Sequence, residues 1–474
     1  MSSTATSTLV TTTGTITTVN PATGADLSSY ESWTAEQIEQ ALACGAAAAA
    51  DWGRQPLATR VAAVRRLADE LRQQKDSMAA LITAEMGKSL AEAAAELEKS
   101  AVTAEYYADQ AEAILGDEEV PIDGVDVWVS YEPIGLVLAV MPWNFPVWQV
   151  MRFAIPSITA GNGVLLKHSP NVTGSALALQ HLCVAAGLPE HLLTAIVVAE
   201  PDVPKVTEWL LDDDRIAAVT LTGSNRAGAA VGAAAGRASK KSVLELGGSD
   251  AFVVLDDADI SAAATAAVKA RYHNAGQSCV CSKRFIVAAS VAEEFTDLFV
   301  KGAQDLVVGD PTDPSTEVGP MARGDLRDAL HRQVQESVAG GAVLLAGGTP
   351  SDSAGFYYPP TVLANTGPGV AVFDEETFGP VAAIAVAAAD DDAVRLANAT
   401  PFGLSLSLWT ADMSRAIRVA KQITSGAAFI NATTASDARV PFGGTKKSGY
   451  GRELAAAGIR EFTNIRTYWA VPAP

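Results

Sequence analysis

The sequence predicts an α/β protein built from two parallel sheets, each covered by helices on both faces. Three observations support this fold class: a long helical region, a short hairpin pattern after it, and two series of apolar strands that alternate with helical stretches. A chain of 474 residues is also too long for one core, so two or three domains are expected.

The helical region spans residues 35–114, where Ala, Leu, Glu, Lys and Arg dominate and apolar positions recur at intervals of three and four. Pro56 is the only proline within it. Residues 120–130 then alternate around Asp123 and Gly124, which predicts a β-hairpin. We expect this hairpin to project as an arm that contacts another subunit.

Two series of strands follow the hairpin, and strands that alternate with helices are typical of buried parallel sheets. Two α/β domains with a cleft between them are therefore expected. The first series lies at residues 135–140, 163–167, 194–198, 216–220 and 242–246, and the second at 251–255, 284–287, 381–386, 403–409 and 428–431.

Composition excludes several functional classes. The formal charge of −20 repels polyphosphate, so nucleic acid is not an expected partner. Residues 1–19 lack the pattern of a secretory signal, and no apolar run reaches membrane-spanning length, so no membrane partner is expected. The four cysteines, Cys44, Cys183, Cys279 and Cys281, are too few for a disulfide scaffold and fit a reducing cytoplasm; no His/Cys cluster has zinc-ligand spacing, so no metal is expected.

Three separated motifs carry the chemistry: Met-Pro-Trp-Asn-Phe-Pro at 141–146, Glu-Leu-Gly-Gly at 245–248 and Gly-Gln-Ser-Cys at 276–279. Cys279 follows a small-residue turn, which suits a nucleophile. Asn144 can donate a hydrogen bond to an alkoxide, and Glu245 can act as a base. Taken singly, Cys279 could be a buried thiol, Asn144 a turn residue and Glu245 a member of a structural ion pair. Together they predict oxidation of an aldehyde through a thioester.

No Gly-x-Gly-x-x-Gly segment lies between a strand and a helix, which argues against an ordinary Rossmann phosphate loop. Residues 222–228, Thr-Gly-Ser-Asn-Arg-Ala-Gly, instead follow a strand and open a helix. The amides at that helix N-terminus could bind a phosphate group. A plain Gly-Ser turn is the alternative interpretation.

The motifs and their order resemble the aldehyde dehydrogenase superfamily over nearly the whole chain, and most closely bacterial succinate-semialdehyde dehydrogenases. The resemblance implies the aldehyde dehydrogenase fold, with two Rossmann-like domains and a small β oligomerisation arm. It divides the chain into a discontinuous cofactor-binding domain (1–118 and 133–246), a catalytic domain (247–450) and the arm (119–132 and 451–474). A homodimer or homotetramer is implied as well.

The resemblance also assigns roles to residues of the cofactor site. Lys167 would contact the adenosine ribose, Glu376 the nicotinamide ribose, and Phe378 the nicotinamide ring. Many NAD-preferring relatives carry Glu three residues after this lysine, where Pro170 stands here, so NADP is expected to be tolerated beside NAD. The implied cofactor-binding set is Trp143, Lys167, Ser169, Gly223, Ser224, Gly228, Leu246, Glu376 and Phe378.

The substrate is expected to be a short aldehyde that carries a carboxylate, and the resemblance implies succinate semialdehyde. Arg152 lies eight residues after Asn144, where relatives for uncharged aldehydes often have an aromatic residue, and Arg can bind a carboxylate bidentately. A surface Arg paired with an acid is the alternative. His273 stands where several of these relatives have a second Arg. The implied substrate-binding set is Arg152, Trp148, His273, Ser436, Arg439 and Phe442.

Other interpretations stay open. The substrate could be glutarate semialdehyde or an aromatic aldehyde, and the chain could be a CoA-acylating or catalytically silent member of the fold. Cys281, two residues after Cys279, could form a redox switch with it, as in some relatives, although such a bridge would be strained.

Overall fold

The computed structural model describes residues 14–471. Its strands are β1 (Thr15–Val19), β2 (Asp26–Glu31), β3 (Glu118–Glu119), β4 (Asp126–Pro133), β5 (Leu136–Met141), β6 (Gly163–His168), β7 (Leu193–Ile196), β8 (Ile216–Thr222), β9 (Lys241–Glu245), β10 (Asp250–Val254), β11 (Ser282–Ala288), β12 (Val343–Ala346), β13 (Thr361–Ala364), β14 (Val381–Ala387), β15 (Ser405–Trp409), β16 (Ala427–Ile430), β17 (Gly449–Tyr450) and β18 (Thr463–Ala470).

Its α-helices are α1 (Ala35–Gly53), α2 (Leu57–Gln73), α3 (Lys75–Met86), α4 (Leu90–Leu115), α5 (Trp148–Ala160), α6 (Thr173–Ala185), α7 (Val203–Asp212), α8 (Asn225–Arg237), α9 (Ile260–Tyr272), α10 (Ala292–Gln304), α11 (Gly324–Ala339), α12 (Ala371–Asp374), α13 (Asp390–Asn398), α14 (Met413–Ala420) and α15 (Ala455–Glu461). Within residues 14–471, no helix combines the length and apolar character that a bilayer crossing requires.

The predicted helical region is confirmed, and local signals explain its divisions. Thr34 begins α1 with a capping box that Gln37 completes. Gly87 ends α3 in the left-handed conformation, with φ of 84°, which glycine adopts without a side-chain clash. Ser89 and Glu92 form a second capping box at the start of α4.

Both predicted sheets are present. The first has the order β17-β9-β8-β5-β6-β7 and is parallel except at β17, which pairs antiparallel with β9. The second has the order β12-β13-β14-β11-β10-β15-β16 and is parallel except at β12. The sequence pattern did not indicate β12 or β13, which are four residues each, because such short segments lack a long apolar run.

A separate antiparallel sheet, β18-β4-β3, contains the predicted hairpin. Gly124 turns the chain with φ of 80°, and Trp128 of β4 stacks on Tyr468 of β18 with ring centroids 4.8 Å apart. Helix α15, which precedes β18, packs against α4 and α5.

Candidate active site

Three loops of the first sheet and one of the second bring the sequence motifs together. Asn144 follows β5, the turn at Gly223 and Ser224 follows β8, and Glu245 is the last residue of β9. Because β5, β8 and β9 are neighbours and parallel, their carboxyl ends meet at one edge of the sheet, where open α/β sheets bind ligands. Cys279 enters from the loop between α9 and β11.

Cys279 lies between two cavities. The helix-side cavity, of about 280 Å³, is lined mainly by α4, α5, α9 and the loop after β16. The sheet-side cavity, of about 250 Å³, is lined by the loops that follow β5, β8 and β9. Gln149 and Cys279 border both cavities. A thiol in this position can meet one molecule on each side.

The loop before Cys279 is held in a strained conformation. Asn274 and Ala275 are left-handed, with φ of 53° and 51°, which costs free energy for residues other than glycine. The Asn274 amide donates to the carbonyl oxygens of Asn144 and Gln277 at 3.0 and 3.1 Å. Asn144 Nδ2 in turn donates one hydrogen to Gln277 O at 3.1 Å. Since Nδ2 carries two hydrogens, a second remains for another acceptor.

The Glu245 carboxyl lines the sheet-side cavity with Asn144 and Cys279. It is buried, and its Oε1 makes no hydrogen bond. Burial and the nearby Glu453 raise the pKa of Glu245 well above its ordinary value, while Arg152 and Arg452 act in the opposite direction. A buried carboxyl with a raised pKa is a stronger base than an exposed one once it is ionised.

Arg152 is already paired within the protein. Its Nε lies against Oε2 of Glu453, and both side chains are only 2% exposed. The guanidinium also lies 4.6 Å from the centre of the Phe442 ring and donates to Thr222 Oγ1 at 3.4 Å. Arg152 does line the helix-side cavity, but its charge is balanced by a buried carboxylate.

The other expected substrate residues divide into two groups. Trp148, His273, Ser436 and Phe442 line the helix-side cavity, and the His273 ring stacks on Phe145 with centroids 6.0 Å apart. Arg439 does not line it, because its guanidinium is 75% exposed and pairs with Asp437 at 2.6 Å.

Cys281 lies beside the nucleophile loop, but its thiol is buried and directed to His273 O at 3.7 Å. Burial raises its pKa, so the thiolate that disulfide exchange requires is disfavoured. A redox switch between the two cysteines stays a prediction.

The sheet-side cavity contains most of the expected cofactor residues. Trp143 and Phe378 meet edge to face, with ring centroids 5.7 Å apart. Glu376 Oε1 accepts hydrogen bonds from the Gly248 amide at 3.0 Å and from Lys283 Nζ at 2.9 Å. The cavity lining also includes Gly223, Ser224 and Leu246.

Close packing accounts for the glycine at the start of α8. Ser224 caps this helix by accepting a hydrogen bond from the Ala227 amide at 3.3 Å. A Cβ added to Gly228 would lie 2.4 Å from Cδ2 of Leu246. Only glycine therefore lets the helix N-terminus approach β9 this closely.

Lys167 and Ser169 lie at the end of β6, outside both cavities. Burial lowers the pKa of Lys167 to about 8. His168 pairs through Nε2 with Pro146 O and through Nδ1 with the Ser169 amide, both at 2.8 Å, and burial lowers its pKa to about 4. These contacts fix a neutral imidazole with its proton on Nε2.

Sequence reasoning missed four side chains of the site: Lys99, Gln149, Lys283 and Glu453. Lys99 and Gln149 line the cavities, Lys283 holds Glu376, and Glu453 balances Arg152. Lys99 lies on a helix with many charges, where one lysine gives no signal. Glu453 follows the Gly443 to Gly451 segment that returns to β9, and the pairing of β17 and a bridge to Phe442 bring it to Arg152.

The model of the aldehyde dehydrogenase family matches residues 9–468. This match covers nearly the whole chain, and the fold and the two cavities on either side of Cys279 are consistent with it. The chain belongs to the aldehyde dehydrogenase family. The fold class and the family predicted from the sequence are confirmed.

Within the family, the chain is similar to enzymes named for one substrate. It is 49% identical over 451 residues to the NAD(P)+ succinate semialdehyde dehydrogenase of Escherichia coli (strain K12), which covers 95% of this chain and 97% of the relative. It is 46% identical to the NADP+ succinate-semialdehyde dehydrogenase 1 of Mycobacterium tuberculosis (strain ATCC 25618 / H37Rv), over 96% of this chain and 99% of the relative. The crystal structure of succinic semialdehyde dehydrogenase from Streptococcus pyogenes with NADP+ is 33% identical, with a TM-score of 0.93 over 96% of this chain and 100% of that one.

Proposed function

We propose that this protein oxidises succinate semialdehyde to succinate with NADP+ or NAD+ through a thioester on Cys279. The observation that carries the proposal is the position of Cys279 between a cavity with cationic side chains and a cavity with Asn144, Glu245 and Glu376. The names and the 46 to 49% identity of the relatives support the same substrate.

The residues present fit a nicotinamide nucleotide. Because Gly228 has no side chain, the first turn of α8 packs directly against Leu246. Backbone amides at a helix N-terminus such as this one can bind phosphate. Trp143, Phe378 and the fixed carboxylate of Glu376 surround the space beside Cys279, and they would hold the nicotinamide and its ribose. When bound, the nicotinamide accepts a hydride.

Tolerance of NADP+ is proposed from the region after β6. Pro170 stands where a ribose-binding glutamate would repel a 2′-phosphate, and it begins a short 3₁₀ turn. Lys167 and Ser169 lie beside it and would supply a cation and a hydroxyl. His168 is neutral and committed to Pro146, so we assign it no role in phosphate binding.

The first step is attack of Cys279 Sγ on the aldehyde carbon. Burial raises the pKa of this thiol to about 12, although Arg152 and Lys283 lower it, so the thiol is protonated at neutral pH. Glu245 lines the same cavity and would take that proton as the C–S bond forms. Asn144 Nδ2 and the Cys279 amide would then stabilise the alkoxide.

Loss of hydride from this adduct leaves a thioester. Glu245 would first release the proton of Cys279 to solvent, and its carboxylate would then remove a proton from a water molecule as the water oxygen attacks the thioester carbon. The C–S bond breaks, the thiolate of Cys279 takes the proton that Glu245 holds, and the acid product leaves and ionises to the carboxylate. Hydrolysis by water is favoured over transfer to CoA because a base is present in the cavity.

The test measures formation of reduced cofactor from succinate semialdehyde, with NADP+ and with NAD+, and with and without CoA. Cys279→Ala should abolish turnover, while Cys44→Ala is the matched control because Cys44 is another partly exposed free thiol. Undiminished turnover by Cys279→Ala would refute the mechanism. A rate that requires CoA would refute hydrolysis.

We also propose a homodimer or homotetramer in a reducing cytoplasm. The sheet β18-β4-β3 exposes Ile465 at 62% and Trp469 at 60%, and Val471, which follows β18, is 70% exposed; a second subunit could cover these apolar side chains. The nucleophile requires a reduced thiol, which a cytoplasm maintains. Light scattering should give twice or four times the mass of one chain, 49.0 kDa.

A further inference from the structure

Three cationic side chains line the helix-side cavity: Lys99, Arg152 and Lys269. They are not equivalent as partners for an anion. Arg152 already has the buried carboxylate of Glu453 beside it, so a second carboxylate would meet a neutralised charge. Lys269 is exposed, and water screens an exposed charge strongly.

Lys99 differs from both. Its Nζ donates to Ser436 Oγ at 2.5 Å and lies 4.4 Å from the centre of the Trp148 ring. No ion pair to Lys99 is present among residues 14–471. Because an ammonium group has three hydrogens, this arrangement leaves donors for a ligand in the cavity.

The carboxylates near Lys99 are bound elsewhere. Glu96 accepts hydrogen bonds from Lys88 Nζ at 2.6 Å and from two amides at the start of α5. Asp437 is paired with Arg439 at 2.6 Å. Neither therefore balances the charge of Lys99 directly, and a half-buried cation without a close counter-ion is costly.

We infer that Lys99, together with Ser436, binds the carboxylate of the substrate in the helix-side cavity. The inference rests on the proposed function and assigns its specificity to a lysine in place of the expected Arg152. The Trp148 ring would hold the ammonium group in place through a cation–π contact. The carbon chain of a short semialdehyde would then run between Lys99 and Cys279, which line the same cavity.

The charge of Lys99 depends on pH. Burial, followed by the charge of Arg152, lowers its pKa to about 8, while Asp437 and Glu96 raise it. Glu92, Lys269 and His273 also line the cavity around it. Lys99 is therefore protonated at neutral pH, and carboxylate binding should weaken as the pH rises through about 8.

The test compares succinate semialdehyde with butanal, which has the same number of carbons and no carboxylate. In Lys99→Met, the ratio of kcat/KM for succinate semialdehyde to kcat/KM for butanal should fall by about 10- to 100-fold, mainly through KM, as expected for loss of a charged hydrogen bond. Lys99→Arg should restore part of the ratio. Lys301→Met, at an exposed lysine of α10 that lines neither cavity, is the matched control and should leave the ratio unchanged.

A second readout is the pH dependence of KM. For the unchanged protein, KM for succinate semialdehyde should rise above a pH of about 8 while KM for butanal does not, and Lys99→Met should lose this difference. An equal loss on both aldehydes in Lys99→Met, or an unchanged ratio, would overturn the assignment. Failure of the unchanged protein to oxidise either aldehyde would instead refute the proposed function.

Discussion

Arg152 and Glu453 form an ion pair inside the active site, and each side chain is only 2% exposed. The pair joins α5, which borders both cavities, to the segment that follows β17. Because its two charges also act on the pKa of Glu245, the pair influences both the stability and the chemistry of the site.

The first prediction concerns stability. Arg152→Met or Glu453→Met should each lower the free energy of unfolding by about 3–5 kcal/mol, because each leaves one buried charge without its partner. The double variant should recover most of that loss, since two apolar side chains can replace a buried pair at little cost. Urea denaturation of the four proteins would test this, and additive losses in the double variant would contradict it.

The second prediction concerns the acid side of the pH–rate profile. Glu245 acts as a base only when ionised, so its raised pKa places the loss of activity at a higher pH than an ordinary Glu would. Glu453→Gln removes the charge that raises this pKa, and the acid limb of kcat should move to lower pH. Arg152→Met removes a charge that lowers it, and the limb should move to higher pH. Shifts in the same direction would argue against Glu245 as the titrating group.

The third prediction tests Asn144 as a donor to the alkoxide. Asn144→Ala should lower kcat by about 100- to 1000-fold with little change in KM, because the lost hydrogen bond acts in the transition state. Asn144 also contacts Gln277 O, so its loss could instead loosen the nucleophile loop. The rate of Cys279 alkylation by iodoacetamide separates the two roles. A parallel fall in alkylation and kcat would indicate a structural role.

The fourth prediction uses two glycines of α8. Gly228→Ala should destabilise the protein by about 1–3 kcal/mol and weaken NADP+ binding, because the added Cβ would meet Leu246. Gly236→Ala, where no atom lies within 4 Å of the added Cβ, should stabilise the helix by up to about 1 kcal/mol. Thermal unfolding and cofactor titration would measure both effects. Equal effects of the two substitutions would contradict the packing argument.

Much of the fold could be predicted because burial on both faces of a parallel sheet produces a visible alternation of apolar strands and helices. The residues Asn144, Glu245 and Cys279 were found because each belongs to a distinctive sequence motif. The sequence also indicated Arg152 as a cavity residue.

The pairing of charges could not be predicted, because it depends on the distant contacts of the folded chain. Arg152 gave no sign that Glu453 would neutralise it, since the antiparallel addition of β17 and the bridge between Phe442 and Glu453 bring that carboxylate to the site. Lys99 and Ser436, which are 337 residues apart, meet only after α4 and the loop after β16 have packed together. Propensity and motif spacing describe neighbours along the chain, and these partners are not neighbours.

The late position of β17 and Glu453 also constrains biosynthesis. During translation, β5 to β9 and α5 leave the ribosome long before the segment that adds the edge strand and the counter-ion of Arg152. Domains generally fold in the order of synthesis, so the nascent first sheet carries an open edge and an unbalanced guanidinium until the C-terminal segment docks. Completion of this site therefore waits for the segment after β16, and a chain released before that segment is made would lack it.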